Sequence, residues 1–221
     1  MAKAEGSGSR RLVRLPPLGL EGMLELPPLP ARGLILFAHG SGSSRLSPRN
    51  NAVAAALREA DLATLLFDLL STAEEADRTN VFDIDLLAQR LLDATEWVWK
   101  SPEIRALPIG YFGASTGAAA ALVAATRLDG RIAAVVSRGG RPDLAGGALA
   151  NVKAPTLLIV GGRDTEVLAL NRAALRRLHC QAAIEVVPGA THLFEEPGAL
   201  EQVVELSRRW FVDHLPIEAK A

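Results

Sequence analysis

The chain has 221 residues, 49% of them hydrophobic, with 24 Lys and Arg against 25 Asp and Glu and a formal net charge of -1. This is enough apolar chain for one domain with a full core, and so balanced a charge gathers neither nucleic acid nor an anionic membrane. The lone Cys180 excludes an internal disulfide, and neither it nor the four histidines falls at a metal-ligand spacing, so a metal-free protein in a reducing, cytoplasmic setting is expected.

Met1 to Arg11 lacks the apolar core of a signal peptide, and no run approaches the ~20 apolar residues of a spanning helix. Residues 1–10, polar and Gly/Ser-rich, read as a flexible lead; residues 11–216 read as a single domain and 217–221 as a tail. Leu12 to Leu26 predicts a β-hairpin or two short edge strands, bounded by Pro16, Pro17, Pro27, Pro28 and Pro30.

A regular alternation follows. Apolar runs at Gly33–Ala38, Ala63–Leu69, Leu107–Phe112, Ile132–Ser137, Thr156–Val160 and Ala183–Val187 predict strands covered on both faces. Between them, helices are predicted over Asn51–Glu59 after a Ser47-Pro48 cap, Asp83–Lys100, Ala118–Ala125, Glu166–Leu178 and Ala199–His214. Trp97 and Trp99 fall on opposite sides of their helix, so at most one is expected in the core. The whole reads as an α/β fold, a doubly wound and mostly parallel sheet with an N-terminal antiparallel edge hairpin, whose functional loops gather at the carboxyl ends of the strands. Only about fifteen residues join the strands between Arg138 and Ala154, which leaves room for one short helix and no cap domain. The acidic connection Leu70–Asn80 is a candidate rim or lid.

Gly113-Ala114-Ser115-Thr116-Gly117 falls where a predicted strand meets a small-residue helix. G-x-S-x-G is weak by itself, but this junction is where a sharp turn exposes a serine hydroxyl at the top of a sheet, and the flanking glycines permit the close backbone approach. A serine is a poor nucleophile at neutral pH and needs a base, an orienting acid and donors for an oxyanion. His192, in the loop after the last strand, is preferred as base over His39, His179 and His214. Asp164 is preferred as the acid over Asp68, Asp143 and Glu166, since it ends a strand and completes the order Ser, Asp, His. The oxyanion donors are the N–H of Thr116 and one from the loop after His39, with Ser41 first and Gly42 as the alternative. Arg138 and Arg141, after one strand end, and Arg45 and Arg49, after the His39-Gly40 loop, could hold an anionic substrate group, with Arg138 and Arg45 the first candidates, as against ordinary ion pairs with the acidic loop.

Together, His39-Gly40-Ser41-Gly42, the Ser115 pentapeptide, Gly162-Arg163-Asp164 and Ala190-Thr191-His192-Leu193-Phe194 resemble the α/β-hydrolases of the dienelactone-hydrolase-like group, over about Leu12 to Leu215. The resemblance implies a hydrolase of small-molecule esters or lactones that uses no metal or organic cofactor. The group's elbow cysteine is replaced by Ser115, which favours general carboxylesterase chemistry over muconate-lactone chemistry. Acyl transfer or thioester hydrolysis by the same triad, and a non-catalytic ligand-binding protein of the same fold, remain the alternatives. Oligomeric state is not legible.

Overall fold

Continuous apolar runs become central strands because helices cover both their faces. The computed structural model describes residues 8–215, and the rest of the expected lead and tail lies outside these. Strands β1 (Ser9–Leu15) and β2 (Leu20–Leu26) form the antiparallel hairpin, followed by β3 (Gly33–Ala38), β4 (Leu62–Phe67), β5 (Ile109–Ala114), β6 (Ile132–Arg138), β7 (Thr156–Gly161) and β8 (Ala182–Val187). They make one eight-stranded sheet in the order β1-β2-β4-β3-β5-β6-β7-β8. The six strands from β3 onward run parallel, while β2 meets β4 antiparallel. This is the α/β-hydrolase fold.

Several boundaries differ from the sequence reading by one to three residues, and two of them have a clear cause in the pairing. Strand β1 starts at Ser9, because Ser9 and Arg10 pair with Leu26 and Glu25 despite their polarity. Strand β5 starts and ends two residues later than its apolar run, since Gly113 pairs with Ala38 and Ser137, and Ala114 with Arg138. The strand therefore delivers the chain directly to Ser115.

The helices are α1 (Pro48–Glu59), α2 (Thr72–Glu75), α3 (Ile84–Lys100), α4 (Thr116–Arg127), α5 (Thr165–Leu175) and α6 (Ala199–His214). The predicted cap of α1 is present: Ser47 Oγ accepts from the Asn50 N–H at 3.3 Å, with Pro48 in the first turn. Side-chain alternation along β3 divides the core between the two faces. Leu34, Leu36 and Ala38 join the cluster that includes α3 and α4, and Ile35 and Phe37 join the one that includes α1 and α6. Residues Thr116 to Ala125 of α4 are all buried, which explains its alanine-rich sequence: small side chains let it pack closely against its neighbours. Trp97 and Trp99 are both half-buried at the border of the core and neither lies within it, in keeping with the expectation of at most one; α3 packs against both α4 and β1. Trp99 also carries the Arg131 guanidinium 3.5 Å above its ring. The connection between β6 and β7 holds a 3-10 segment, Pro142–Asn151, and no cap.

His39 joins the ends of β3 and β4. Its Nδ1–H donates to the Gly40 carbonyl at 3.0 Å and its Nε2 accepts from the Leu69 N–H at 3.0 Å, so the ring is neutral with both nitrogens used. Burial holds its pKa below the usual histidine value, against the opposing pull of the Gly40 hydrogen bond. The unfolded chain takes up this proton below about pH 6.5 and the folded one does not, so the contribution of His39 to stability is complete above that pH and lost as pH falls toward the folded pKa. Urea unfolding at a series of pH values should show stability falling from pH 7 to pH 5, above the carboxylate range. His39→Gln should remove that part of the slope, and a slope unchanged in the variant would refute the assignment.

The elbow gives a second test. A Cβ on Gly117 would lie 2.2 Å from the Ala38 carbonyl oxygen and 2.5 Å from that of His39. Gly117→Ala should therefore cost at least about 1–3 kcal/mol in urea unfolding. Gly147→Ala, where a Cβ meets nothing within 4 Å, should stay within about 0.5 kcal/mol of the parent.

Candidate active site

Ser115 has φ +51° and ψ −122°, a conformation that non-glycine residues rarely adopt. It is held from several sides. Its N–H donates to the Arg138 carbonyl at 3.3 Å, and its own carbonyl accepts from Ala118 N–H at 3.1 Å and Arg141 N–H at 3.0 Å. A Cβ at Gly113 would stand 2.4 Å from the Ala118 Cα, so glycine is required where strand and helix cross. The hydroxyl faces a cavity of about 290 Å³ whose lining includes Gly40, Ser41, Arg49, Arg138, His192 and Leu193.

Asp164 follows β7 and His192 lies in the loop after β8. Backbone bonds lock the two loops together: Gly162 N–H donates to the Val187 carbonyl and Arg163 N–H to the Ala190 carbonyl, each at 2.9 Å. Glu196 Oε1 accepts from the Thr191 N–H at 3.0 Å, and hydrogen bonding from the Thr191 side chain, then from the Glu196 and Thr191 backbone, holds the Glu196 carboxyl below the usual carboxylate range. The buried Phe194 takes φ +55° to close the turn. The outcome is a 2.8 Å hydrogen bond between His192 Nδ1 and Asp164 Oδ2. A carboxylate only accepts, so Nδ1 carries the proton and Nε2 is left as an acceptor. His192 and Ser115 face the same cavity, and among the described residues Ser115 Oγ makes no hydrogen bond.

The rival carboxylates are engaged elsewhere. Asp143 takes a bidentate pair from Arg141, at 2.9 and 2.8 Å. Asp68 binds the Arg45 guanidinium and accepts from the Arg45 N–H at 2.8 Å. This corrects one expectation: Arg45 does not face Ser115. It pairs with both Asp68 and Glu21 and ties its loop to the ends of β4 and β2.

Arg138 does line the cavity and is 9% exposed; among the described residues neither its Nε nor its Nη1 has a hydrogen-bond partner. Of the loop after β3, Ser41 borders the Ser115 cavity, and its N–H donates to Thr116 Oγ1 at 3.2 Å. Gly42 lines an adjoining cavity of about 540 Å³ between this loop and the segment carrying Glu75, Arg78 and Phe82. The Leu70–Asn80 connection thus walls the neighbouring space and not the cavity of Ser115. Arg49, the other arginine after the His39-Gly40 loop, does line the cavity. The signal was its position in the first turn of α1, two residues past the Ser47 cap, which sets its side chain at the carboxyl end of the sheet.

Among the described residues no cluster of three or more His, Cys, Asp or Glu could hold a metal ion, and no helix is long and apolar enough to cross a membrane. Comparison with known proteins gives the chain a lineage. It is 60% identical over 199 residues, 90% of its length, to a Mycobacterium tuberculosis protein whose given name proposes phosphoribosyl transfer, and it spans 45% of that longer relative. A dienelactone hydrolase from Anabaena variabilis is 51% identical, with a TM-score of 0.90 over 96% of this chain and 100% of that one. A lidless α/β serine hydrolase from Xanthomonas campestris, 21% identical, shares the fold with a TM-score of 0.76 over 98% of each chain. The family model described as the dienelactone hydrolase family matches residues 58–209, and the chain belongs to that family.

Proposed function

We propose that the protein is a serine carboxylesterase acting on small esters or lactones through an acyl-enzyme, within the hydrolase chemistry of its family. The observation that carries this is Ser115, held at φ +51° and facing a cavity shared with a histidine whose Nδ1 is hydrogen-bonded to Asp164. Ser115 Oγ attacks the carbonyl carbon while His192 Nε2 takes the hydroxyl proton. Asp164 fixes the ring tautomer and stabilises the imidazolium. The Thr116 N–H, one of the orphan donors of the first turn of α4, receives the oxyanion together with the Ser41 N–H, which must turn from Thr116 Oγ1 to do so. The tetrahedral adduct collapses, His192 returns the proton to the departing alcohol, and water repeats the sequence to release the acid.

The phosphoribosyl name belongs to a relative about twice as long, whereas the elbow, the histidine and its carboxylate all lie in the part shared here. Acyl transfer by the same residues would differ only in the acceptor that replaces water.

A fluorophosphonate probe should label Ser115 stoichiometrically, as mapped by peptide mass spectrometry, and fail on Ser115→Ala. For p-nitrophenyl acetate, Ser115→Ala and His192→Ala should each lower kcat by at least about 10³-fold, with the double variant little worse because the pair acts as a unit. Asp164→Asn should lower kcat on the order of 10⁴-fold, since an asparagine amide holds the ring in the wrong tautomer. Labelling of another residue, or additive losses in the double variant, would refute the proposal.

Chain length is a further expectation. Leu193 and Ala114 are the apolar side chains among the residues lining the cavity, too little wall to collect the ~0.8 kcal/mol available per buried CH₂ of a long acyl chain. A kcat/KM series from acetyl to palmitoyl esters, below their aggregation limits, should peak between acetyl and butyryl. A maximum at long chains would reveal an apolar wall these residues do not supply.

A further inference from the structure

Arg138 sits against the nucleophile by construction of the sheet. It pairs with Ala114 across β5 and β6, and its carbonyl holds the Ser115 N–H. Its side chain is nine-tenths buried, and among the described residues both Nε and Nη1 lack a partner. Buried guanidinium groups are ordinarily paired, because leaving the charge unpaired in a dry site is costly. Burial, and after it the nearby positive charge of Arg49, lower the Arg138 pKa to about 10, and the group stays cationic at neutral pH.

Arg49 lines the same cavity. Its Nη1 pairs with Glu195 at 3.1 Å on the outer side, and its Nε has no partner. None of the residues lining the cavity carries a carboxylate. The hydroxyls of Ser43 and Ser47 border it as well, and Ser47 Oγ already accepts from Asn50, which leaves its proton free to donate. Ser47 caps the twelve-residue helix α1, whose positive end adds to the two cations.

We infer that this cavity binds a phosphate group and that the ester cleaved at Ser115 carries one. A carboxylate offers two coplanar oxygens, which one guanidinium fork satisfies. Here the donors come from β6, from the first turn of α1 and from the loop before it, an arrangement suited to a tetrahedral group with three acceptor oxygens and up to two charges. The inference rests on the esterase reading for what the phosphate is attached to, but the anion site itself does not depend on turnover.

The probes are inorganic phosphate and acetate, at ionic strength held constant with chloride. Phosphate should inhibit p-nitrophenyl acetate hydrolysis competitively, and acetate should be weaker by about tenfold or more. Calorimetry on Ser115→Ala, which needs no catalysis, should detect phosphate binding. Arg138→Gln in that background should weaken the binding by about tenfold or more, the loss expected when one partner of a buried charge pair is removed. If Arg138→Gln does not fold, Arg49→Gln, at an accessible helix end, makes the same comparison. Phosphate binding by a protein that does not hydrolyse esters would sink the esterase reading and leave the anion site standing. Ester hydrolysis with no phosphate binding, or with acetate bound as tightly as phosphate, would overturn the anion inference and leave the esterase reading intact.

Discussion

One strained residue organises this molecule. Keeping Ser115 at φ +51° costs of order 1–3 kcal/mol, and such a conformation persists only where its surroundings over-determine it. The surroundings here are β5, β6, α4 and the turn after β6, each bonded to the Ser115 backbone or crossing it within van der Waals contact. The burial of Thr116 to Ala125 along α4 and the absence of a Cβ at Gly113 and Gly117 follow from the same demand, because a larger side chain at any crossing would push the helix off the strand. The hydrogen bond that restrains Ser115 also fixes the Arg138 backbone, so the strained serine and the buried cation are placed by a single contact.

The second half of the site is built differently. The loops that carry Asp164 and His192 are joined through main-chain bonds, and a Cβ on Gly161 would lie 2.5 Å from the carbonyl oxygens of Ala190 and Thr191. The 2.8 Å bond between His192 and Asp164 is thus an outcome of loop docking, with Glu196 and the positive φ of Phe194 closing the turn around it. The Asp164 side chain is 15% exposed and that of His192 41%, so the carboxylate is sheltered while the ring stays open to the cavity. This asymmetry suits a base that must move a proton to and from an entering molecule.

What could be read from sequence was whatever a local pattern encodes. Apolar runs gave the strands, Ser47-Pro48 gave the start of α1, and the spacing around Ser115 together with the order Ser, Asp, His brought the principal side chains to one edge of the sheet. Properties decided by remote partners were not legible. Arg45 and Arg49 look equivalent as basic residues beyond β3. Glu21, at the β2 end, and Asp68 claim the first; no such pair of carboxylates meets the second, and it turns to the cavity. The choice between Ser41 and Gly42 depended on a turn in which Gly42 takes φ +67°, which carries Gly42 toward the neighbouring cavity and leaves Ser41 beside Thr116. That Trp97 and Trp99 both flank the core was likewise set by α3 having neighbours on two sides, which a single helical stripe does not encode.

A balanced composition constrains far fields and says nothing about near ones. With a net charge of -1 the chain exerts little pull beyond a Debye length of about 8–10 Å, which is why polyanion partners were excluded from composition. Within the cavity the sum is different: two guanidinium groups and a helix N-terminus, with no lining carboxylate to offset them. Solvent screening is weakest there, since Arg138 is nine-tenths buried, and a small anion that enters meets most of that local charge. Under the proposed reading, such a site selects by what reaches Ser115 and not by what approaches the surface, which would put specificity in a few side chains at the carboxyl ends of β3, β5 and β6.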